Sequence, residues 1–260
     1  MIKNFLYFIG KTTTDFIKTL GDFTIFQLYV IKLFFKPPFR IKNLFEQIKF
    51  MGYGSLGVIF LTSFFTGLVE AVQLYHGFHK FGIEDFMGYT IFVSIVKELG
   101  PVFAALMVIS RGISAYAAEL GSMRVTEQID ALEVMAVDSK HYLIAPRILA
   151  TIISLPLLIV FFDAVANIGA YFISVYSLDV NGYAYLDNLK QFAEMKEINQ
   201  GLIKGAVFGY IISAIGTYIG YNTRGGAKGV GQSTTKAVVF SSVAVFMADY
   251  VLSAIFLVFY

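Results

Sequence analysis

Two neighbouring residues of opposite charge, Lys97 and Glu98, lie inside a long apolar stretch and directly precede Leu99-Gly100-Pro101. Ionisable side chains inside a membrane are costly, which makes each of them a candidate functional group. A proline at this place frees a backbone carbonyl and distorts a helix. The pattern suits a site for a zwitterionic or anionic head group. It equally suits an internal ion pair that fixes helix packing.

An apolar and aromatic surface precedes this pair. Glu70, Leu74, Phe78 and Phe81 fall at helical spacing, and their side chains suit contact with acyl chains. The same residues would also serve as ordinary anchors at a membrane interface. Further along the chain, Asp163 and Asp249 lie within apolar stretches, where we favour a packing role for both.

Several kinds of chemistry are not expected from this sequence. Gly10-Lys11-Thr12 resembles part of a phosphate-binding loop, but Phe5 stands where that loop needs a glycine, so no nucleotide site is predicted. The chain has no cysteine, which excludes disulfides and Cys-ligated metal. Its three histidines form no convincing ligand set, and no nucleophile with a base is evident. We therefore expect no metal, no cofactor and no catalytic residues: the chain is not predicted to be an enzyme.

The composition indicates that these residues are positioned by membrane-spanning helices. Apolar residues make up 57% of the 260 residues and charged residues 15%, with a mean hydropathy of +0.70. Five apolar runs are long enough to cross a bilayer as helices, which needs about 20 residues each. They are Tyr53–Tyr75, Ile91–Ala118, Ile148–Val175, Leu202–Tyr221 and Ala237–Phe259. The predicted fold is an all-α polytopic membrane protein.

Basic residues predict the orientation of these spans. With a cytoplasmic N-terminus, most of the lysines and arginines fall in cytoplasmic segments, as the positive-inside rule requires. The outside segments would then hold Lys80, Lys97, Lys190, Lys196 and Lys204.

Residues 1–50 differ in kind from residues 51–260 and form a separate N-terminal segment. Phe23–Phe35 is apolar but too short to span, and it stops at Pro37-Pro38, which places it in the membrane interface. After the prolines, apolar residues recur at helical spacing opposite lysines, glutamate and amides, the pattern of an amphipathic surface helix: Ile41, Leu44, Phe45 and Ile48.

The stretch Gly121–Tyr142 predicts a short amphipathic helix between the second and third spans. Its apolar residues Val125, Ile129, Leu132 and Ala136 share one face, and Glu127, Asp130 and Glu133 form an acidic stripe on another. A docking surface for a cytosolic partner and a solvated connector both remain open on this pattern. Small residues in the fourth span, such as Gly205, Gly209 and Gly216, indicate close helix packing, of which a homodimer interface is one version.

A longer motif carries a family resemblance. Lys97-Glu98-Leu99-Gly100-Pro101-Val102, then Arg111, then the run from Ala118 to Asp138 (AELGSMRVTEQIDALEVMAVD), closing with Ala145-Pro146-Arg147, resembles the MlaE/YrbE permeases of MCE-type, Mla-like phospholipid ABC transporters. The resemblance covers roughly residues 45–260.

The resemblance implies a set of partners and a place in the cell. A member would be the multi-pass, inner-membrane permease subunit of an ATP-driven transporter that moves phospholipid between the inner and outer membranes and maintains outer-membrane lipid asymmetry. It would form a homodimer and bind a cytosolic ABC ATPase, a periplasmic MCE-domain lipid-binding protein and, in some systems, a small STAS-type cytosolic subunit. No nucleic acid is implied.

The resemblance also assigns roles to residues. A coupling helix at about residues 124–138 would dock on the ATPase through Glu127, Asp130, Leu132, Glu133 and Asp138. Lys97 and Glu98 would face a lipid pocket together with Glu70, Leu74, Phe78 and Phe81. Relatives carry arginine at the position of Lys97, and a lysine keeps the charge without the bidentate fork. The alternative function is an ion-gradient-driven transporter that uses Glu70, Lys97, Glu98, Asp163 and Asp249.

Overall fold

The computed structural model describes residues 2–259, and within that range the chain is helical without strands. The helices are α1 Ile2–Leu33, α2 Ile41–Met51, α3 Leu56–Phe81, α4 Met87–Ser94, α5 Gly100–Val108, α6 Ser114–Val125, α7 Gln128–Val134, α8 Ala145–Tyr176, α9 Gly182–Phe192, α10 Met195–Tyr221 and α11 Gly226–Phe259. The predicted all-α fold is confirmed.

Five segments are long and apolar enough to cross a membrane, as predicted. They are Ile41–Phe81, Glu84–Val125, Lys140–Tyr176, Met195–Tyr221 and Gly226–Val258. Because consecutive spans alternate in direction, α2, α7 and the start of α8 lie at one end of the bundle. The connection that contains α9 lies at the other end.

The second span is interrupted twice. Between α4 and α5 the turn Ile95–Leu99 is π-helical, and between α5 and α6 so is Ile109–Ile113. A π-turn accommodates one extra residue within a helix and is often found at functional sites. The first of these turns contains Lys97 and Glu98 and precedes Pro101, so the predicted helix distortion is present.

Helix α8 forms the centre of the bundle and packs against α3 and α10. Small residues permit these contacts: a Cβ at Gly67 would overlap the Ala166 carbonyl oxygen, and a Cβ at Gly209 would lie 2.8 Å from the Thr151 carbonyl oxygen. Gly205 likewise faces α8, whereas Gly216 faces Ile113 of the second span. The small residues of the fourth span therefore pack within this chain rather than on a second copy.

The N-terminal segment is more regular than predicted. Residues 2–33 form one helix, α1, instead of a short apolar element, and α2 follows at the predicted amphipathic stretch. Arg111 fixes the end of α2: its Nη1 donates to the Phe50 carbonyl oxygen and to Ser55 Oγ, and its guanidinium lies 4.5 Å from the centre of the Phe50 ring. The second span thereby holds the junction of α2 and α3.

Candidate functional site

A buried lysine organises the charges within the spans. Lys204 of α10 has a side chain that is 2% exposed, and its Nζ lies 2.6 Å from Glu98 Oε2 and 2.8 Å from Asp249 Oδ1. Its ammonium also donates to the Lys97 carbonyl oxygen at 2.9 Å and to Ser253 Oγ at 2.8 Å. Ser253 in turn donates to Glu98 Oε1 at 3.1 Å. We call Glu98, Lys204, Asp249 and Ser253 the charge cluster.

The contacts within the charge cluster differ in kind. An ammonium has three donors, and Lys97 O, Glu98 and Ser253 use all three. Asp249 Oδ1 consequently has a close charge partner but no aligned hydrogen bond from any described residue. Two carboxylates thus share one buried cation, which neutralises them only in part.

Pro101 explains why the Lys97 carbonyl is available to Lys204. Proline lacks an N–H, so Pro101 cannot donate to the carbonyl four residues earlier, which belongs to Lys97. The Lys204 ammonium donates to that oxygen instead. The carbonyl that the sequence predicted to be freed is therefore bonded across helices.

The side chain of Lys97 stands apart from this arrangement. It is half-buried, and within residues 2–259 it forms no ion pair. Lys97 and Glu98 do not pair with each other, because the salt bridge of Glu98 is with Lys204. The Glu98 side chain remains 46% exposed, so one cation and one carboxylate are both reachable from the surface of the bundle.

The other residues predicted to contact lipid lie along α3, at increasing distance from the turn that contains Lys97. Glu70 Oε1 accepts a hydrogen bond of 2.9 Å from Ser94 Oγ, which lies one turn before Lys97. Leu74 and Phe78 are partly buried against the core, while Phe81 is 79% exposed at the end of α3. Glu70 therefore lies near Lys97, whereas Phe81, at the end of α3, does not.

Asp163 approaches the same turn from α8. Its Oδ1 contacts Gly100 at the position where a side chain would begin, and it has no hydrogen-bond partner among the described residues. Two members of the charge cluster were not predicted from the sequence: Ser253, and Lys204, which was placed among the outside lysines. The available signal was its place within the predicted span Leu202–Tyr221, where a charge is unexpected.

The predicted coupling helix is shorter than residues 124–138. α6 ends at Val125, α7 covers only Gln128–Val134, and Glu127 and Ala136 on either side have φ values of 60° and 57°. These left-handed residues break the helix. As a result Ala136 lies outside the helix and is exposed, so the apolar stripe is reduced to Ile129 and Leu132.

The acidic residues of this segment fall into two groups. Glu127 and Asp130 are exposed, and Asp130 pairs with Arg124 at 2.6 Å. Glu133 accepts from Ser139 and Tyr221 at 2.9 and 3.0 Å, and is thereby tied to its own chain. Two apolar side chains at the tip of α7 are the most accessible to a partner: Val134 is 88% and Met135 63% exposed.

Asp138 lies just before the third span, which begins at Lys140. Its Oδ1 accepts from the N–H groups of Lys140 and His141, and its Oδ2 accepts from the Tyr29 hydroxyl at 2.6 Å. Burial opposes ionisation of Asp138, but these hydrogen bonds together lower its pKa below the usual value. The Lys140 ammonium lies 5.0 Å from the Phe26 ring centre and 5.2 Å from that of Tyr29. Helix α1 is thus bound to the segment that carries α7.

The described residues contain no group of three potential metal ligands, and His79 instead pairs with Glu84 at 3.0 Å.

Comparison with known proteins covers nearly all of the chain. A family profile described as Permease MlaE matches residues 44–255. A probable ABC transporter permease protein of Rickettsia bellii is 41% identical over 256 residues, which are 98% of this chain and 99% of the relative. The intermembrane phospholipid transport system permease protein MlaE of Haemophilus influenzae is 34% identical over 258 residues, or 98% of each chain. The chloroplastic protein TRIGALACTOSYLDIACYLGLYCEROL 1 of Arabidopsis thaliana is 38% identical over 229 residues, which are 87% of this chain and 65% of that protein. The matched residues include both the charge cluster and α7.

Proposed function

The chain belongs to the MlaE permease family, and from this premise we propose that it moves phospholipid between the inner and outer membranes as the permease of an ATP-driven transporter. The general part of this function follows directly from its relatives and its spans: the chain is a multi-pass permease subunit of an ABC transporter. The relative whose name specifies phospholipid is the Haemophilus influenzae protein. These relatives also favour an ABC permease over the gradient-driven alternative.

The observation that carries the proposal is the unpaired Lys97 beside the partly exposed Glu98 in a membrane span. A phospholipid head group offers an anionic phosphate, and zwitterionic head groups add an ammonium. Lys97 would bind the phosphate, while Glu98, held in place by Lys204 and Ser253, would accept the ammonium. Acyl chains would lie along Leu74 and Phe78, with Phe81 at the outer end of that path.

The proposed assembly uses both ends of the bundle. Positive residues favour a cytoplasmic location for α2 and α7, so the ATPase would bind the tip of α7, and a STAS-type subunit would also lie on this side. The MCE-domain protein would then meet the end that carries α9, in the periplasm. Two copies would associate through α11, whose most apolar stretch is only 11% buried in this chain.

The lipid site is tested by reversing the charge of Lys97. Lys97→Glu places two neighbouring carboxylates at the head-group position, so we expect the phospholipid that copurifies with the complex, and lipid-stimulated ATP hydrolysis, to fall about tenfold. A charge-assisted hydrogen bond is worth about 1.5–3 kcal/mol, which corresponds to at least this factor. Lys97→Arg should retain both, and Lys18→Glu at an exposed position of α1 serves as the control. Unchanged lipid content in Lys97→Glu would refute the proposed site.

The ATPase contact is tested with two equally exposed methionines. Met135 at the tip of α7 is 63% exposed and Met195 at the opposite end is 70% exposed. We expect Met135→Glu to abolish copurification of the ATPase, because it places a charge at the centre of an apolar contact, whereas Met195→Glu retains the ATPase. Transport that persists in Met135→Glu, driven by an ion gradient without any ATPase, would instead establish the secondary-transport alternative.

A further inference from the structure

A groove separate from the charge cluster lies between α2, the first turn of α3 and the middle of α8. Its volume is about 690 Å³, within the range of about 300–1,000 Å³ that small-molecule sites occupy. Its apolar walls are formed by Phe45, Ile48, Leu56, Leu157 and Leu158. Glu70 lies 14 residues beyond Leu56 on α3, which corresponds to about 21 Å along the helix, so the groove and the proposed transport site are at different depths.

The floor of the groove contains an unsatisfied hydroxyl. Ser154 of α8 is 1% exposed, lines the groove, and its Oγ has no hydrogen-bond partner among the described residues. Gly52 lies opposite, and a Cβ there would be 3.5 Å from that oxygen. A buried hydroxyl without a partner carries a desolvation cost of about 1–3 kcal/mol. An acceptor supplied by a bound molecule would remove this cost.

The rim of the groove carries one basic side chain. Lys49 lines it at the last turn of α2, is exposed, and forms no ion pair with any residue that the structure describes. Tyr53, 73% exposed, stands beside it and supplies a further hydroxyl. An amine at the end of an amphipathic helix, above an apolar groove between membrane spans, is complementary to an anionic group at the membrane interface.

We propose that this groove is a binding site for an anionic glycerophospholipid of the leaflet in which α2 lies. One acyl chain occupies the apolar groove, an ester carbonyl accepts a hydrogen bond from Ser154, and the phosphate pairs with Lys49. The groove opens onto a face that meets acyl chains, since Leu157 and Ile153 of α8 are 63% and 43% exposed within a membrane span.

The bound lipid would join α2 to α8. Arg111 of the second span already binds the end of α2, and the lipid would add a contact between α2 and α8. This proposal rests only on the chain being a membrane protein. Its failure would leave the transport proposal intact, and labelling of the groove should persist in Lys97→Glu.

The test uses vesicles that contain a photoactivatable phosphatidylglycerol with a diazirine on its acyl chain, and a second set with the matching phosphatidylcholine. We expect phosphatidylglycerol to label peptides that contain residues 45–56 and 153–158 about fivefold more than phosphatidylcholine does, the factor expected for one lysine near an anionic lipid. Lys49→Glu should remove this preference. Lys42→Glu is the matched control: it changes an exposed lysine two turns earlier on α2, outside the groove.

Three results would overturn the proposal. Equal labelling by both lipids would show that the site does not select an anionic lipid. An equal loss in Lys49→Glu and Lys42→Glu would show a diffuse basic surface. The chain has no native cysteine, so Leu157→Cys provides a single thiol; efficient disulfide-linked dimers through it would assign the groove to a second copy of the chain. Ser154→Ala, which removes the unsatisfied hydroxyl without adding volume, should lower labelling by phosphatidylglycerol while the purified protein keeps its thermal stability.

Discussion

At the scale of single residues, Lys204 determines how charges are tolerated within the spans. A buried ion is costly unless it is paired and hydrogen-bonded, and Lys204 has two carboxylates, a hydroxyl and a carbonyl oxygen around it. The sequence predicted Glu98 and Asp249 as separate candidates. It gave no indication that they meet, because they lie on different helices and their distance depends on how α10 packs.

Replacement of Lys204 tests the importance of this pairing. Lys204→Met keeps the approximate length of the side chain but leaves Glu98 and Asp249 without their cation, so we expect the free energy of unfolding to fall by about 3–5 kcal/mol. The measurement is the thermal unfolding midpoint of the purified protein in detergent. Lys196→Met removes the exposed pair with Glu194 and should leave the midpoint unchanged. Similar midpoints for the two variants would contradict the importance of the charge cluster to stability.

Asp138 predicts a dependence of stability on pH. Its pKa in the folded protein lies below the unfolded value of about 3.9, so its ionised form stabilises the fold above that value, and this contribution is lost as the pH falls through the folded pKa. Asp138→Asn can still accept the N–H groups of Lys140 and His141 but carries no charge. We therefore expect the thermal midpoint of Asp138→Asn to decline less than that of the unsubstituted protein between about pH 5 and pH 3. Parallel declines would contradict this role of the charge.

At the scale of helices, the approach of α3 to α8 depends on small residues. Gly67→Ala would place a methyl group against the Ala166 carbonyl, which is backbone and cannot rotate away, so we expect a loss of about 1–3 kcal/mol of stability. Gly57 lies on the same helix, and a methyl group there would have no atom of the described residues within 4 Å beyond its own helix backbone and chain neighbours, so Gly57→Ala should be neutral or slightly stabilising. Thermal unfolding of both variants distinguishes packing from helix propensity. Equal stability of the two would show that α3 and α8 can separate at little cost.

The helices were predictable to different degrees. The five spans follow from hydropathy, because a bilayer requires about 20 apolar residues in each helix. The limits of α7 did not follow from the sequence. The apolar periodicity of this segment continues through Glu127 and Ala136, but the left-handed backbone of these two residues ends the helix. The continuous length of α1 did not follow from the sequence, because the polar run from Lys11 to Asp15 separates its two apolar stretches.

At the scale of the whole molecule, α11 is the least buried of the five spans within the described residues: 11% of its most apolar stretch is buried, against 28–50% in the other four. Phe246, Met247 and Tyr250 are between 55% and 76% exposed, and Asp249 and Ser253 of the charge cluster lie on the same helix. Association of two copies through this face would bring two charge clusters close to a shared axis. We therefore include the homodimer in the proposed function.

Single cysteines test this arrangement, since none occurs naturally. We expect Met247→Cys to form disulfide-linked dimers in membranes, because the exposed face of α11 would meet its symmetry mate. Val160→Cys on α8, 48% exposed, is the control and should remain monomeric. Dimers formed by Val160→Cys but not by Met247→Cys would place the interface on α8.

The order in which the chain is synthesised gives the charge cluster a further consequence. Glu98 is inserted into the membrane first, Lys204 enters with the fourth span, and Asp249 arrives only with the last. Because Glu98 precedes Lys204 in the chain and Asp249 follows it, we expect the pair of Lys204 with Glu98 to form before Asp249 is present. We therefore expect a chain that ends before α11 to integrate its fourth span, because Glu98 would neutralise Lys204 as it enters the membrane.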